Sequence, residues 1–338
     1  MIAERRIEPE RVTVAGIAAR RGEALSLRLP VDGFEEVDRP LVTLIGGQEA
    51  GPVVTVVAGV HGAEVSSIEA GRRLARSLAP RLRAGTAIVV PVANLASFFA
   101  RSLYVNPRDG KNLNRTFPGR PDGSPTERLA HALVEGVVRP ADVVFDLHGG
   151  DIVEALDPFM LAEDLPGRGV DPRALAMADL FGLDQAVVAH VEGSLVAVAS
   201  ALGKPALLAE CGQQGVVSEL ATERLGDGVE NVLRALGMLD GPAGAAASGH
   251  PVFRPAWTWM NSEHAGFWLP DRGVTVGREL AAGARIGRIV PIDPAGVTVD
   301  VVAPHAGRLI FLVTALSTKP GTPLCALARA ASAWPLPA

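Results

Sequence analysis

The 338-residue sequence predicts an α/β fold, with a mixed, mainly parallel sheet flanked by helices, and an all-β domain at its C-terminal end. Three observations carry this expectation. Near-continuous apolar runs read as strands buried on both faces. Segments with helical periodicity alternate with them. Beyond residue 240 that periodicity stops, leaving short apolar runs cut by Gly, Pro and Asp.

In chain order, Val12 to Ala19 and Ala24 to Val31 are short, partly alternating strands joined by a turn at Arg21-Gly22. Leu41 to Gly46 and Val53 to Val60 are buried strands. Ser66 to Arg83 is a helix, because Ile68, Leu74, Leu78 and Leu82 recur at helical intervals. Ala87 to Val92 is a strand. Residues 94–125, rich in Asn, Gly, Pro and Arg, read as a long loop. A helix over Thr126 to Val138, a strand over Asp142 to Leu147 and a short helix over Ala174 to Phe181 follow. Lys204 to Glu210 leads into a strand, and Ser218 to Leu236 forms a long helix. The small-residue stretch from Asp240 to Gly249 fits a linker. It divides the chain into residues 1–242, with N-terminal strands within 1–50, and a β-rich domain over 250–338.

With 48% hydrophobic and 20% charged residues, the chain has material for a substantial core. A net charge of −5, no Lys/Arg cluster and 4% aromatics argue against a nucleic-acid surface. No apolar stretch is long enough to span a membrane, and the charged start Met-Ile-Ala-Glu-Arg-Arg lacks a signal core. A cytoplasmic protein is expected. Cys211 and Cys325 then read as reduced thiols; Cys211 as a nucleophile would need a partner to stabilise its thiolate.

The chemistry-bearing residues sit at strand ends. His61 and Glu64 follow one apolar run, in Val-Ala-Gly-Val-His-Gly-Ala-Glu, and His148 ends another, in Asp146-Leu-His148-Gly-Gly. Ligand sites in parallel sheets form beyond the carboxyl ends of strands. Two imidazoles and a carboxylate are a set that binds Zn²⁺ with one position open. Asp146 could hold an imidazole through its other nitrogen. Asn106-Pro-Arg-Asp-Gly-Lys-Asn-Leu-Asn114-Arg115-Thr-Phe-Pro-Gly119 is too long and polar for an ordinary connection. Its Arg115 offers a fork suited to a carboxylate, with Asn114 beside it. Glu210 follows a further apolar strand, where a carboxylate could move protons. His131, His190, His250 and His305 lack metal-ligand partners nearby in sequence and read as surface or core histidines.

Taken together, these four segments resemble the succinylglutamate desuccinylase/aspartoacylase family, a branch of the zinc carboxypeptidase-like hydrolases. The resemblance covers most of the chain and keeps the family's motif order. It implies a zinc-carboxypeptidase-like fold and one Zn²⁺ per chain held by His61, Glu64 and His148. It implies Glu210 as general base and acid, and Asn114 and Arg115 as recognising a substrate carboxylate or nearby polar group. Family members commonly add an upstream arginine that polarises the scissile carbonyl. Arg108 and Arg101 both qualify, with Arg108 nearer the expected place.

The C-terminal region resembles a barrel-sandwich domain of biotinyl-carrier type without the Met-Lys-Met attachment turn, so covalent biotin or lipoate is not expected. Such a domain would narrow the entrance, and Glu263 and His264 could reach the site from it. The implied function is deacylation of a small N-acyl amino acid or related compound. A metallocarboxypeptidase acting on short peptides and an inactive zinc- or ligand-binding module are the competing readings. The expected partner is a small molecule, not nucleic acid or membrane; a homo-oligomer, commonest as a homodimer, is open.

Overall fold

The structure, a computed structural model, describes residues 2–244 and 251–333, side chains at 251–256 and 330–333 excepted. The apolar runs become strands β1 (Ala24–Arg28), β2 (Leu41–Gly46), β3 (Glu49–Ala58), β4 (Ala84–Val90) and β5 (Val143–His148). β6 (Glu154–Leu156), β7 (Phe159–Leu165), β8 (Gly169–Val170), β9 (Ala186–Ala189) and β10 (Ala206–Glu210) follow. Helices α1 (Val65–Ser77), α2 (Leu95–Ala100), α3 (Pro125–Leu133), α4 (Pro172–Phe181), α5 (Leu195–Ala201) and α6 (Glu219–Ala235) connect them. The C-terminal strands are β11 (Pro251–Asn261), β12 (Gly266–Pro270), β13 (Glu279–Leu280), β14 (Arg285–Val290), β15 (Val299–Val302), β16 (Gly307–Val313), β17 (Ser317–Thr318) and β18 (Pro323–Ala333).

The main sheet runs β1-β2-β4-β3-β5-β10-β7-β9-β11-β18-β16-β13. Its centre, β4-β3-β5-β10, is parallel, and β7 joins antiparallel to β10. The C-terminal strands continue it, because β11 pairs parallel with β9 and β16 pairs with β6. A second antiparallel sheet, β15-β14-β12-β17, packs on this extension.

Strand alternation sends side chains to two cores. Val54, Val56, Phe145, Leu207 and Ala209 meet α1, α4 and α6 through Leu74, Phe181 and Val229. Val53, Val57, Val144, Leu161 and Leu208 face α3, α5 and the C-terminal strands through Leu129, Leu195 and Trp268. Ser124 and Glu127 form a capping box that starts α3, which runs on into a π turn over Val134–Val138.

Three expectations differ from what is found. No strand forms over Val12 to Ala19: Ala15 and Gly16 take positive φ, and the chain turns back between Val14 and Ile17. The segment 94–125 contains α2 and a 3-10 turn at Leu113–Arg115. Asn94 starts α2 by accepting the amide of Ser97 at 3.2 Å. Residues 149–203, mostly unassigned by periodicity, hold β6 to β9 and α5. Of the expected linker, Asp240 to Gly244 is described; 245–249 and His250 lie outside the described residues.

Trp268 shows how the C-terminal strands share the core. It is buried, and its indole Nε1–H donates to the Val313 carbonyl at 2.9 Å. Trp268→Ala should cost about 3–5 kcal/mol in urea unfolding. An unchanged midpoint would mean that this layer adds nothing to the stability of the main sheet.

Candidate metal centre

Register brings the predicted residues together. Ala58 of β3 pairs with Leu147 of β5, and Glu210 of β10 pairs with His148. Three adjacent parallel strands therefore end at one level. Gly59 turns the chain after β3 with φ +65°, and Gly62 passes so close to α2 that a Cβ would lie 2.1 Å from the Phe98 amide. This fixes the loop carrying His61 and Glu64.

The donor atoms of His61, Glu64 and His148 lie within 4.8 Å of one another, and all three residues are buried. Glu64 sits between the imidazoles: Oε1 is 2.7 Å from His61 Nδ1 and Oε2 is 2.8 Å from His148 Nδ1. Behind them, His61 Nε2 meets Asn112 Oδ1 at 3.1 Å, and His148 Nε2 lies 3.0 Å from Asp146 Oδ1. The His148 contacts are short but misaligned, so both of its ring nitrogens and both Asp146 oxygens lack a hydrogen-bond partner. Buried polar atoms left so are costly. The residues present fit a divalent cation, which His61, Glu64 and His148 would hold.

The electrostatics agree. Burial opposes ionisation of Glu64, yet His148 and His61 outweigh it and hold its carboxyl down at about 2. Burial likewise disfavours charge on His148, but Asp146 and Glu64 raise its pKa well above the ordinary value. The cluster attracts positive charge. Glu210 behaves oppositely: burial, then the negative charge of Glu64, push its carboxyl well above the usual range.

A cavity of about 1170 Å³ opens from this cluster. His61, Glu64, Asn114, Arg115 and Glu210 line it. Burial lowers the pKa of Arg115 while Glu210 raises it. Asn114 Oδ1 accepts the Leu195 amide at 3.0 Å, tying the loop before α5 to this segment. Arg108 is not among the lining residues. Its guanidinium pairs with Asp38 and lies 4.6 Å over the Phe34 ring. Arg101 closes α2 in the left-handed region, and exposed Glu263 and His264 also lie outside the lining. Cys211 is buried, and burial pushes its thiol up to about 11, away from a nucleophilic thiolate.

Several lining residues escaped the sequence reading. Asn112, two positions before Asn114 in the same polar segment, orients His61. Tyr104, the single tyrosine of the chain, packs edge-on against His61 with ring centroids 5.9 Å apart. Its hydroxyl donates to Glu154, whose carboxyl burial raises to about 7. Trp257, Trp259 and Phe311 come from the C-terminal strands and had no motif to mark them.

Residues 50–236 match the family model described as the succinylglutamate desuccinylase/aspartoacylase catalytic domain. The chain belongs to the succinylglutamate desuccinylase/aspartoacylase family. It is 29% identical over 280 residues to the N-alpha-acetyl-L-2,4-diaminobutyric acid deacetylase of Halomonas elongata, covering 80% of each chain. Its fold is similar to the product-bound ectoine utilization protein EutE (DoeB) of Ruegeria pomeroyi, at 27% identity and a TM-score of 0.78, over 86% of this chain and 89% of that one. A succinylglutamate desuccinylase/aspartoacylase from Rhodobacter sphaeroides gives 25% identity and a TM-score of 0.80, over 92% and 95% of the chains. Among the described residues no helix is long and apolar enough to cross a membrane.

The residues behind the imidazoles give a direct test. Asn112→Ala and Asp146→Asn should each weaken zinc affinity by about 10–100-fold in a chelator competition titration. Wild-type affinity in both would remove the cluster from consideration as a metal site.

Proposed function

We propose that this chain is a zinc-dependent amide hydrolase that removes a small acyl group from an N-acyl amino acid or related amine. The observation carrying this reading is the convergence of His61, Glu64 and His148, with Glu210 on the neighbouring strand end. The deacetylase named for the Halomonas relative supports the reaction class. His61, Glu64 and His148 would hold one zinc ion. Bound there, zinc supplies Lewis acidity and lowers the pKa of water from about 15.7 toward ~7.

Glu210 takes the proton of the attacking water and later hands it to the leaving amine, a role supported by its place on the strand end beside His148. Arg115 grips a substrate carboxylate, and Asn114 holds the surrounding loop in place. Tyr104, oriented by Glu154, closes the side of the site next to His61. In this reading Arg108 polarises the scissile carbonyl only after it leaves Asp38. The C-terminal strands place Trp257, Trp259 and Phe311 on the cavity wall, which favours a small substrate over a long peptide.

Glu210→Gln should retain stoichiometric zinc while lowering kcat by about 10²–10⁴-fold on an N-acetyl amino acid panel. Normal turnover in that variant would exclude Glu210 as the proton carrier. Arg115→Ala should raise KM about tenfold or more for carboxylate-bearing substrates. A comparable effect from Arg108→Ala alone would show that Arg108 does reach the substrate.

A further inference from the structure

The chain is poor in aromatic residues, with four Trp, one Tyr and ten Phe among 338. Two of the tryptophans, the tyrosine and three of the phenylalanines nevertheless line the cavity of the metal centre. That cavity, about 1170 Å³, exceeds the roughly 300–1,000 Å³ typical of a drug-sized ligand site. An N-acetyl derivative of a small amino acid would fill only a fraction of it.

Four of these rings form one array, and it begins beside Glu210. Phe159 of β7 pairs in register with Glu210 of β10. Residues so paired project from the same sheet face, with Cβ atoms about 4.5–5.5 Å apart. Trp257 stands edge-on to Phe159 with centroids 4.9 Å apart, and Trp259 stacks on Trp257 at 5.6 Å. Phe311 then meets Trp259 edge-on at 4.9 Å. The two tryptophans occupy alternate positions of β11 and so share a face. Ala326 of β18 pairs with both Trp259 and Phe311, and its small side chain leaves the rings room to meet. Phe159 and Phe311 are buried and back the indoles, while Trp259 stays 47% exposed. An indole held in this way offers a rigid apolar face that gains free energy when it is covered.

Resting on the deacylase reading above, we infer that the amine half of the substrate carries a bulky apolar or aromatic group that lies along this array. Glu210 serves the scissile nitrogen, so the array starts where the amine half leaves the amide. Arg115, on the same cavity wall, takes the α-carboxylate of that half. The substrate class is an N-acyl amino acid with a large apolar side chain, of the phenylalanine or tryptophan type. Trp257 and Trp259 are its specificity-determining contacts.

Initial rates on the zinc-loaded protein test this, with the N-acetyl derivatives of alanine, leucine, phenylalanine, tryptophan, lysine and glutamate as substrates. The expected kcat/KM rises about 10–100-fold from N-acetylalanine to N-acetylphenylalanine, and the two charged side chains fall about tenfold or more below the latter. N-(Phenylacetyl)alanine is an isomer of N-acetylphenylalanine with the ring on the acyl half, and it should be cleaved about tenfold less well. Trp259→Ala should lower the phenylalanine-to-alanine ratio of kcat/KM about tenfold, acting mainly through KM. Trp259→Phe, which keeps a ring, should recover part of that ratio. Four results overturn the inference while leaving deacylation intact. They are a flat series from alanine to tryptophan, a preference for a charged side chain, equal or better cleavage of the phenylacetyl isomer, and an unaltered ratio in a folded Trp259→Ala protein. Failure to cleave any member would instead count against the deacylase reading itself.

Discussion

The site rests on the level at which three parallel strands stop. β3, β5 and β10 are neighbours, and their pairing sets Leu147 beside Ala58 and His148 beside Glu210. Side chains alternate along a strand, so a one-residue slip of β5 would put Leu147 where His148 belongs. The apolar residues just below guard against that slip. Val144 faces one core and Phe145 the other, and exchanging them would repack both. The fold therefore specifies the convergence of His61, Glu64 and His148 through burial far from it. The loop after β3 completes the arrangement, because Gly62 lets it lie directly on α2 and aim His61 and Glu64 inward.

Charge at the centre is arranged so that each group restrains the next. Glu64 spans both imidazoles, Asn112 and Asp146 stand behind them, and Gly149 donates its amide to Glu64 at 3.3 Å. Two buried carboxylates, Asp146 and Glu64, face His148 and outweigh its burial, raising its pKa well above the ordinary value. Glu210, one strand away, is raised first by desolvation and then by the charge of Glu64, to which it is not paired, whereas the two imidazoles hold Glu64 down. Adjacent carboxylates thereby take opposite protonation behaviour from position alone.

Sequence revealed the parts of this that repeat or stand alone in apolar surroundings. Buried strands announce themselves as unbroken apolar runs, so β2 to β5 and β10 were legible, and so were His61, His148 and Glu210 at their ends. The family-model match and the fold bear out the resemblance those motifs suggested. What was hidden depends on pairing between distant segments. β7 interrupts its apolar run with Glu163 and Asp164, and β9 has only four residues, so no unbroken run marks them. His190 looked isolated because its partner, Glu163, is 27 residues away and meets it only through the β7–β9 pairing. Asn112 carries no signal of its own in the polar segment; it meets His61 and also accepts the Asn114 amide at 2.8 Å. Arg108 fitted a motif spacing, but spacing says nothing of Asp38, seventy residues away, which takes up its guanidinium.

The reversal of direction between β10 and β7 places strand ends at both edges of the sheet face that lines the cavity. Had every strand run parallel, all functional loops would gather at one edge. Because β7 and β9 run opposite to β5 and β10, their carboxyl ends lie toward the other edge of the same sheet face. The floor between them, Leu208 and Leu161, belongs to the same core as Trp268 and α5, so its length is set by the packing of that core. The C-terminal strands, hydrogen-bonded to β9 through β11, set Trp257 edge-on against Phe159 with ring centroids 4.9 Å apart. The strand ends at both edges of this face are thus positioned by one packed core.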